Sequence, residues 1–111
     1  MNLKITKLET FAKEAKRLYK KYKKLPDDLK ILVKKLNDNP KAGIYLGANC
    51  YKIRLANSSI PTGKSSGFRV IYYYYDGELD IYLLTIFSKR DMGNISDEKI
   101  MELLQKYDLD L

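Results

Sequence analysis

The chain has 111 residues, 45% apolar and 32% charged, with a formal net charge of +7. That length suits one domain, 1–111, with a core that needs no staples. A single cysteine, Cys50, excludes an internal disulfide, and the longest uncharged apolar run, residues 81–88, is too short to cross a bilayer.

Leu3 and Ile5 flank Lys4 in the alternation of a short first strand. Thr6 and Glu9 then have the spacing of a capping box, in which each side chain satisfies an orphan amide at a helix start. Behind it Leu8, Phe11, Ala12, Ala15, Leu18, Tyr19 and Tyr22 recur at helical spacing, giving one apolar face while lysines fill the other. Leu25, Pro26, Asp27 and Asp28 break that helix and open a second, with proline and acids suited to a first turn. Its stripe is Leu29, Leu32, Val33 and Leu36, and the run from Asn37 to Pro40 ends it. A helical hairpin is expected.

The middle of the chain reads as sheet. Residues 44–46 form a short strand, Gly47, Ala48 and Asn49 turn, and Tyr51, Ile53 and Leu55 alternate with Lys52 and Arg54. Period two therefore places Lys52 and Arg54 together on one face. Residues 57–67 carry no apolar periodicity and read as a loop. Residues 68–75 and 79–87 are apolar on both sides, so both are expected as central strands, antiparallel across a turn at Asp76 and Gly77. Alternation sends at least two of the tyrosines at 72–75 into the core. Ser96 ahead of Asp97 and Glu98 caps a last helix with the stripe Ile100, Leu103, Leu104 and Tyr107. The order β-α-α-β-β-β-β-α is that of an α+β fold: a first strand and helical hairpin packed on a curled, mainly antiparallel sheet of four to five strands, with a C-terminal helix.

Pairing the two long strands brings the basic Gly/Ser-rich loop and Arg69 close to Lys89 and Arg90, with Asp91 the one acid nearby. Such a gathering of cations is unfavourable unless an anion meets it. The charge is also uneven along the chain: 13 Lys/Arg against 5 Asp/Glu in residues 1–41, 6 against 3 in 42–90, and 2 against 6 in 91–111. A basic body with a short acidic tail suggests a polyanionic partner; the N-terminal lysines taken alone equally suit a solvated helix face.

Three segments carry a resemblance. Cys50 to Leu55 reads CYKIRL, Gly63 to Tyr73 reads GKSSGFRVIYY, and Ile81 to Lys89 reads IYLLTIFSK. In this order and spacing the chain resembles the RelE/ParE superfamily of bacterial toxins, closest in pattern to its HigB-like branch, along essentially its whole length. The resemblance implies a toxin held inactive by a cognate antitoxin that carries a helix-turn-helix DNA-binding domain. It further implies a ribosome-dependent endoribonuclease, an mRNA interferase that cuts messenger RNA without a metal. The alternative within the superfamily is a non-catalytic, ParE-like inhibitor of DNA gyrase. The toxin by itself is expected to be monomeric and cytoplasmic, without cofactor or membrane partner; its amino terminus lacks the apolar stretch of a signal peptide.

RNA cleavage by the 2′-hydroxyl needs a base, cations for the phosphorane charge, and an acid for the leaving oxygen. With no histidine in the chain, lysine, arginine, tyrosine or a carboxylate must serve. Arg69 is the first candidate for stabilising the transition state, since a guanidinium fork matches two phosphate oxygens and stays charged. Lys89 is the candidate acid, or base where crowding by cations lowers its pKa. Arg54 is the third catalytic candidate, and Lys52 beside it, Arg90, and Lys64 and Ser66 in the glycine-flanked loop are candidates for holding RNA. Tyr73 shares parity with Arg69 and is the tyrosine suited to stack on a base. Each has an ordinary alternative: a solvated strand face, a strand-end lysine, a flexible loop, a core tyrosine. One departure stands out, because many family members carry tyrosine or histidine where this chain has Phe87 and Ser88. Chemistry resting on a ring hydroxyl or imidazole there is not available to it.

Overall fold

The computed structural model describes residues 3–61 and 67–109. Its elements follow the expected order: β1 (Lys4–Lys7), α1 (Glu9–Lys21), α2 (Leu25–Asp38), β2 (Ile44–Gly47), β3 (Cys50–Leu55), β4 (Phe68–Tyr74), β5 (Asp80–Ser88) and α3 (Asp97–Lys106). The strands join in a five-stranded sheet ordered β1-β5-β4-β3-β2, antiparallel except where β1 runs parallel to β5. The α+β expectation and the central place of β4 and β5 both hold.

Strand alternation sorts the core into two layers. Tyr51, Ile53 and Leu55 of β3 and Phe68, Val70, Tyr72 and Tyr74 of β4 face the helical hairpin, meeting Phe11, Leu18, Tyr22, Leu25, Leu32 and Leu36. Each fully buried side chain of that size stabilises the fold by about 1.5–3 kcal/mol relative to its exposed state. On the other face Cys50, Ile71, Leu84 and Phe87 pack beneath Ile100, Leu103 and Leu104 of α3. A bulge lets β5 serve both layers: Tyr72 pairs with Leu83 and Ile71 with Thr85, leaving Leu84 as the extra residue. Without that insertion Leu84 and Phe87 would lie on opposite faces. The hairpin between β2 and β3 turns on Ala48 and Asn49, at φ 50° and 62°, the left-handed pair that a tight two-residue connection requires.

Two local expectations are corrected. Thr6 belongs to β1, whose ladder with β5 claims residues 4–7, so Leu8 takes the cap position of α1 and offers no side-chain cap. The amide of Thr10 instead donates to the Tyr107 hydroxyl at 2.8 Å, an acceptor delivered from the end of α3. The apolar stripe of α1 is also narrower than its spacing suggested, because Ala12 is exposed and Tyr19 is 45% exposed. At α3 the expected cap is present, with Ser96 accepting from the amide of Lys99 at 3.1 Å. No helix among the described residues is long and apolar enough to cross a membrane.

Candidate functional site

The cations gather on the sheet face that α3 covers only in part. Register places Arg54 of β3 directly opposite Arg69 of β4, and Arg69 directly opposite Phe87 of β5. All three project to the side away from the helical hairpin, as the burial of their neighbours Ile53, Leu55, Phe68 and Val70 beneath the hairpin requires. Arg54 is exposed and Arg69 is 8% exposed. The Arg69 Nη1 donates to its neighbour Phe68's carbonyl at 3.1 Å. Burial, and then the facing Arg54, lower the pKa of its guanidinium from the ordinary value. Among the described residues neither arginine has a carboxylate partner, although Arg17, Lys21, Lys41 and Lys99 all do. Asp91, the acid nearest in sequence to this end of the sheet, lies 3.7 Å from Lys21 instead.

Lys52 sits one pair along, opposite Ile71, and its Nζ donates to Asn94 Oδ1 at 3.3 Å. The same oxygen accepts from the Ile95 amide at 2.9 Å, so the connection into α3 is tied to the basic strand face. Lys89 follows β5, its amide donating to the Gly67 carbonyl at 3.0 Å, and both Lys89 and Arg90 are exposed. Gly67 permits a close approach at this corner, since a Cβ there would lie 2.6 Å from the Leu55 carbonyl oxygen. Lys64 and Ser66 lie outside the described residues. The loop that leads to them is anchored on the helical hairpin: Asp28 Oδ2 accepts from the Ser58 amide at 3.1 Å, and Ser59 Oγ accepts from the Lys24 amide at 2.9 Å.

Tyr73 does share the face of Arg69, but it stands two pairs further along, opposite Cys50 and Tyr82. Its ring lies 6.3 Å from that of Tyr82 and packs beside the α3 layer. Four residues of extended chain are roughly 13 Å, and Ile71, buried under α3, occupies the position between. Phe87 is buried in that layer too, so the residue that departs from the family pattern is part of the core. Three participants were not foreseen: Asp28 as the loop's anchor, Asn94 on Lys52, and Tyr107 at the start of α1. Their partners are 30, 42 and 97 residues away, beyond the reach of local spacing.

No family model matches the sequence. Among solved structures, the chain is similar to the E. coli toxin RelE in the free state, in a double arginine-to-alanine mutant. The two share 20% identity over 96% of this chain and 98% of that one, with a TM-score of 0.62. The fold is RelE-like. At that identity the likeness speaks for the arrangement of strands and helices rather than for individual residues.

Proposed function

We propose that this chain is the toxin of a toxin–antitoxin pair, of the HigB-like branch, and that it cleaves messenger RNA on the ribosome without a metal. The observation that carries the proposal is the facing pair Arg54 and Arg69, one of them buried, with no described carboxylate beside either. A folded domain that gathers unpaired guanidinia at one place keeps them for an anion, and RNA supplies one. In the proposed reaction the 2′-oxygen attacks the adjacent phosphorus as its proton passes to a base. The bond to the 5′-oxygen then breaks, and that oxygen takes up a proton. Arg69 meets the charge of the pentacovalent phosphate, Arg54 holds the same group from the next strand, and Lys89 is the proton carrier. Lys52, Arg90, Lys64 and Ser66 hold the flanking backbone, and Tyr73 offers a stacking surface further along.

The proposed antitoxin bears a helix-turn-helix domain and an acidic segment that crosses the basic face. A second contact is offered by the apolar groove of about 620 Å³ between α1 and α2, where Ala15, Tyr19, Leu29 and Val33 are rimmed by Lys7, Lys16 and Lys30. That rim suits an amphipathic helix with acids along its edges.

Induced expression of the chain is expected to stop growth and to leave translated messages cut. Arg69→Ala should lower cleavage by roughly 10²–10³ while the protein stays folded, by analogy with deleting one donor to a developing oxyanion. Intact messages alongside collapsed DNA supercoiling would overturn the nuclease in favour of the gyrase inhibitor.

A further inference from the structure

The end of the sheet away from the arginines has a different chemistry. Register sets Tyr73 of β4 opposite Tyr82 of β5, with ring centroids 6.3 Å apart and ring planes at 51°. Alternation puts Asp80 on the same face as Tyr82, and Tyr75, just past the end of β4, on the same side as Tyr73. The turn between the strands adds Glu78, whose amide donates to the Tyr75 carbonyl at 3.0 Å. Together Tyr73, Tyr75, Glu78, Asp80 and Tyr82 line a cleft of about 230 Å³. Tyr75 is 54% exposed, while Tyr73, Asp80 and Tyr82 are half-buried, so the cleft has an aromatic floor and wall and an open mouth.

The two carboxylates at its rim stand without a cation. Asp76 in the same turn is paired with Lys41 at 3.1 Å, but neither Glu78 nor Asp80 forms an ion pair among the described residues. Lys4, opposite Asp80 in the register of β1, does not close one with it. In a chain of net charge +7, these two acids are thus left open beside three rings. A tyrosine face draws a cation, and the carboxylates strengthen the pull while repelling a phosphate. Size narrows the ligand further. Sites for whole small molecules usually enclose about 300–1,000 Å³, so this cleft takes the head of a side chain instead. A planar guanidinium can lie on a tyrosine face while its edge N–H groups reach the acids; the compact, strongly hydrated ammonium of lysine matches that pair of contacts less well.

We infer that this cleft binds an arginine side chain displayed by a partner protein. The guanidinium stacks on the tyrosine rings and donates to the carboxylates of Glu78 and Asp80. Four residues of β4 separate Tyr73 from Arg69, roughly 13 Å of extended chain, so an anion on the arginine pair and a cation here do not compete for space. The inference needs only the cleft and stands whether or not the chain cleaves RNA. For Tyr73 it sets a guanidinium against the base-stacking role proposed above, and the test decides between them.

The test uses the whole chain, isotope-labelled for amide detection, titrated with the capped peptide Ac-Gly-Arg-Gly-NH2 at constant ionic strength. The amide signals of Glu78, Asp80 and Tyr82 should move together along one saturating curve. The lysine peptide should bind more weakly, and the citrulline peptide, which keeps the shape of arginine without its charge, should leave the signals in place. Tyr75→Ala, at an exposed position, should weaken binding by roughly two- to fivefold without lowering the melting temperature. Glu78→Gln with Asp80→Asn should abolish it. Absence of a saturable shift at tens of millimolar peptide, equal binding of the citrulline peptide, or undiminished binding by either variant would overturn the inference. Free arginine carries its own carboxylate toward the two acids and should bind less well than the capped peptide; tighter binding would make this a metabolite site and rule out the protein partner. Adenosine 5′-monophosphate is the last arm: if it moves these amides and the arginine peptide does not, the tyrosines face RNA and the guanidinium site is wrong.

Discussion

Arg69 is held where a cation is least comfortable, 8% exposed and facing the guanidinium of Arg54. Like charges directly opposite on neighbouring strands destabilise a sheet. Arg69→Met keeps the length of the side chain and removes the charge, so it is expected to raise stability by up to ~1 kcal/mol while abolishing cleavage. Chemical unfolding and a message-cleavage assay on the same preparation check both halves; a loss of stability would mean that Arg69 is structural. Tyr72 makes the opposite case, a polar group fully reconciled with burial. Its hydroxyl donates to the Pro40 carbonyl at 2.8 Å and accepts from the Gly43 amide at 3.0 Å. Burial pushes its pKa from the ordinary 10.0 up to about 12. The folded state therefore holds this proton more tightly than the unfolded chain. The stability it confers is complete below about pH 10 and drains away as pH rises from about 10 to about 12. Tyr72→Phe should flatten the fall in unfolding free energy across that window, at a cost of about 1 kcal/mol at neutral pH.

At the scale of elements, α1 owes its start to α3. Leu8 supplies no cap, and the Tyr107 hydroxyl both takes the Thr10 amide and meets Thr10 Oγ1 at 2.7 Å. Tyr107→Phe is expected to cost about 1 kcal/mol, as loss of a side-chain cap does, and to speed hydrogen exchange at the Thr10 amide. A variant with unchanged exchange there would show that the contact is incidental. The same example marks where local pattern stops being informative. Thr6 and Glu9 have capping-box spacing, but β5 competes for residues 4–7 and wins them for the sheet. The helix stripes, the alternating strands and the Ser96 cap were legible because each depends on neighbours within a turn or a pleat. Parity likewise put Lys52 with Arg54 on one strand and Arg69 with Tyr73 on another. That Arg54 meets Arg69 head-on, while Tyr73 lies beyond Ile71 and α3, depends on register between strands separated by a loop. Asp28 looked like an ordinary first-turn acid; 1% exposed, it anchors a loop 30 residues on.

Across the whole molecule, α3 lies on the cationic face through apolar contacts with Cys50, Ile71, Leu84 and Phe87. Its described acids form no ion pair with Lys52, Arg54 or Arg69, and Glu102 is engaged by Lys99. Charge masking by this helix is therefore not expected: Glu98→Gln with Glu102→Gln should leave RNA affinity unchanged, whereas Leu104→Ala should cost about 2–5 kcal/mol of stability. Tighter RNA binding by the double glutamine variant, read in a filter or anisotropy titration, would show that this helix does mask the face. Salt gives a separate check. If Lys52, Arg54 and Arg69 each neutralise one phosphate, log affinity for single-stranded RNA should fall with log salt at a slope near −2, and Arg54→Gln should flatten it by about 0.7. The parallel pairing of β1 with β5 also governs when the fold can be completed. Residues 4–7 wait for Asp80 to Leu83, and α1 waits for Tyr107. At ordinary rates of synthesis the second half of that strand pair arrives roughly 4–15 s after the first. The sheet's outermost strand is thus made first and paired late, so the fold closes only once nearly the whole chain has been synthesised.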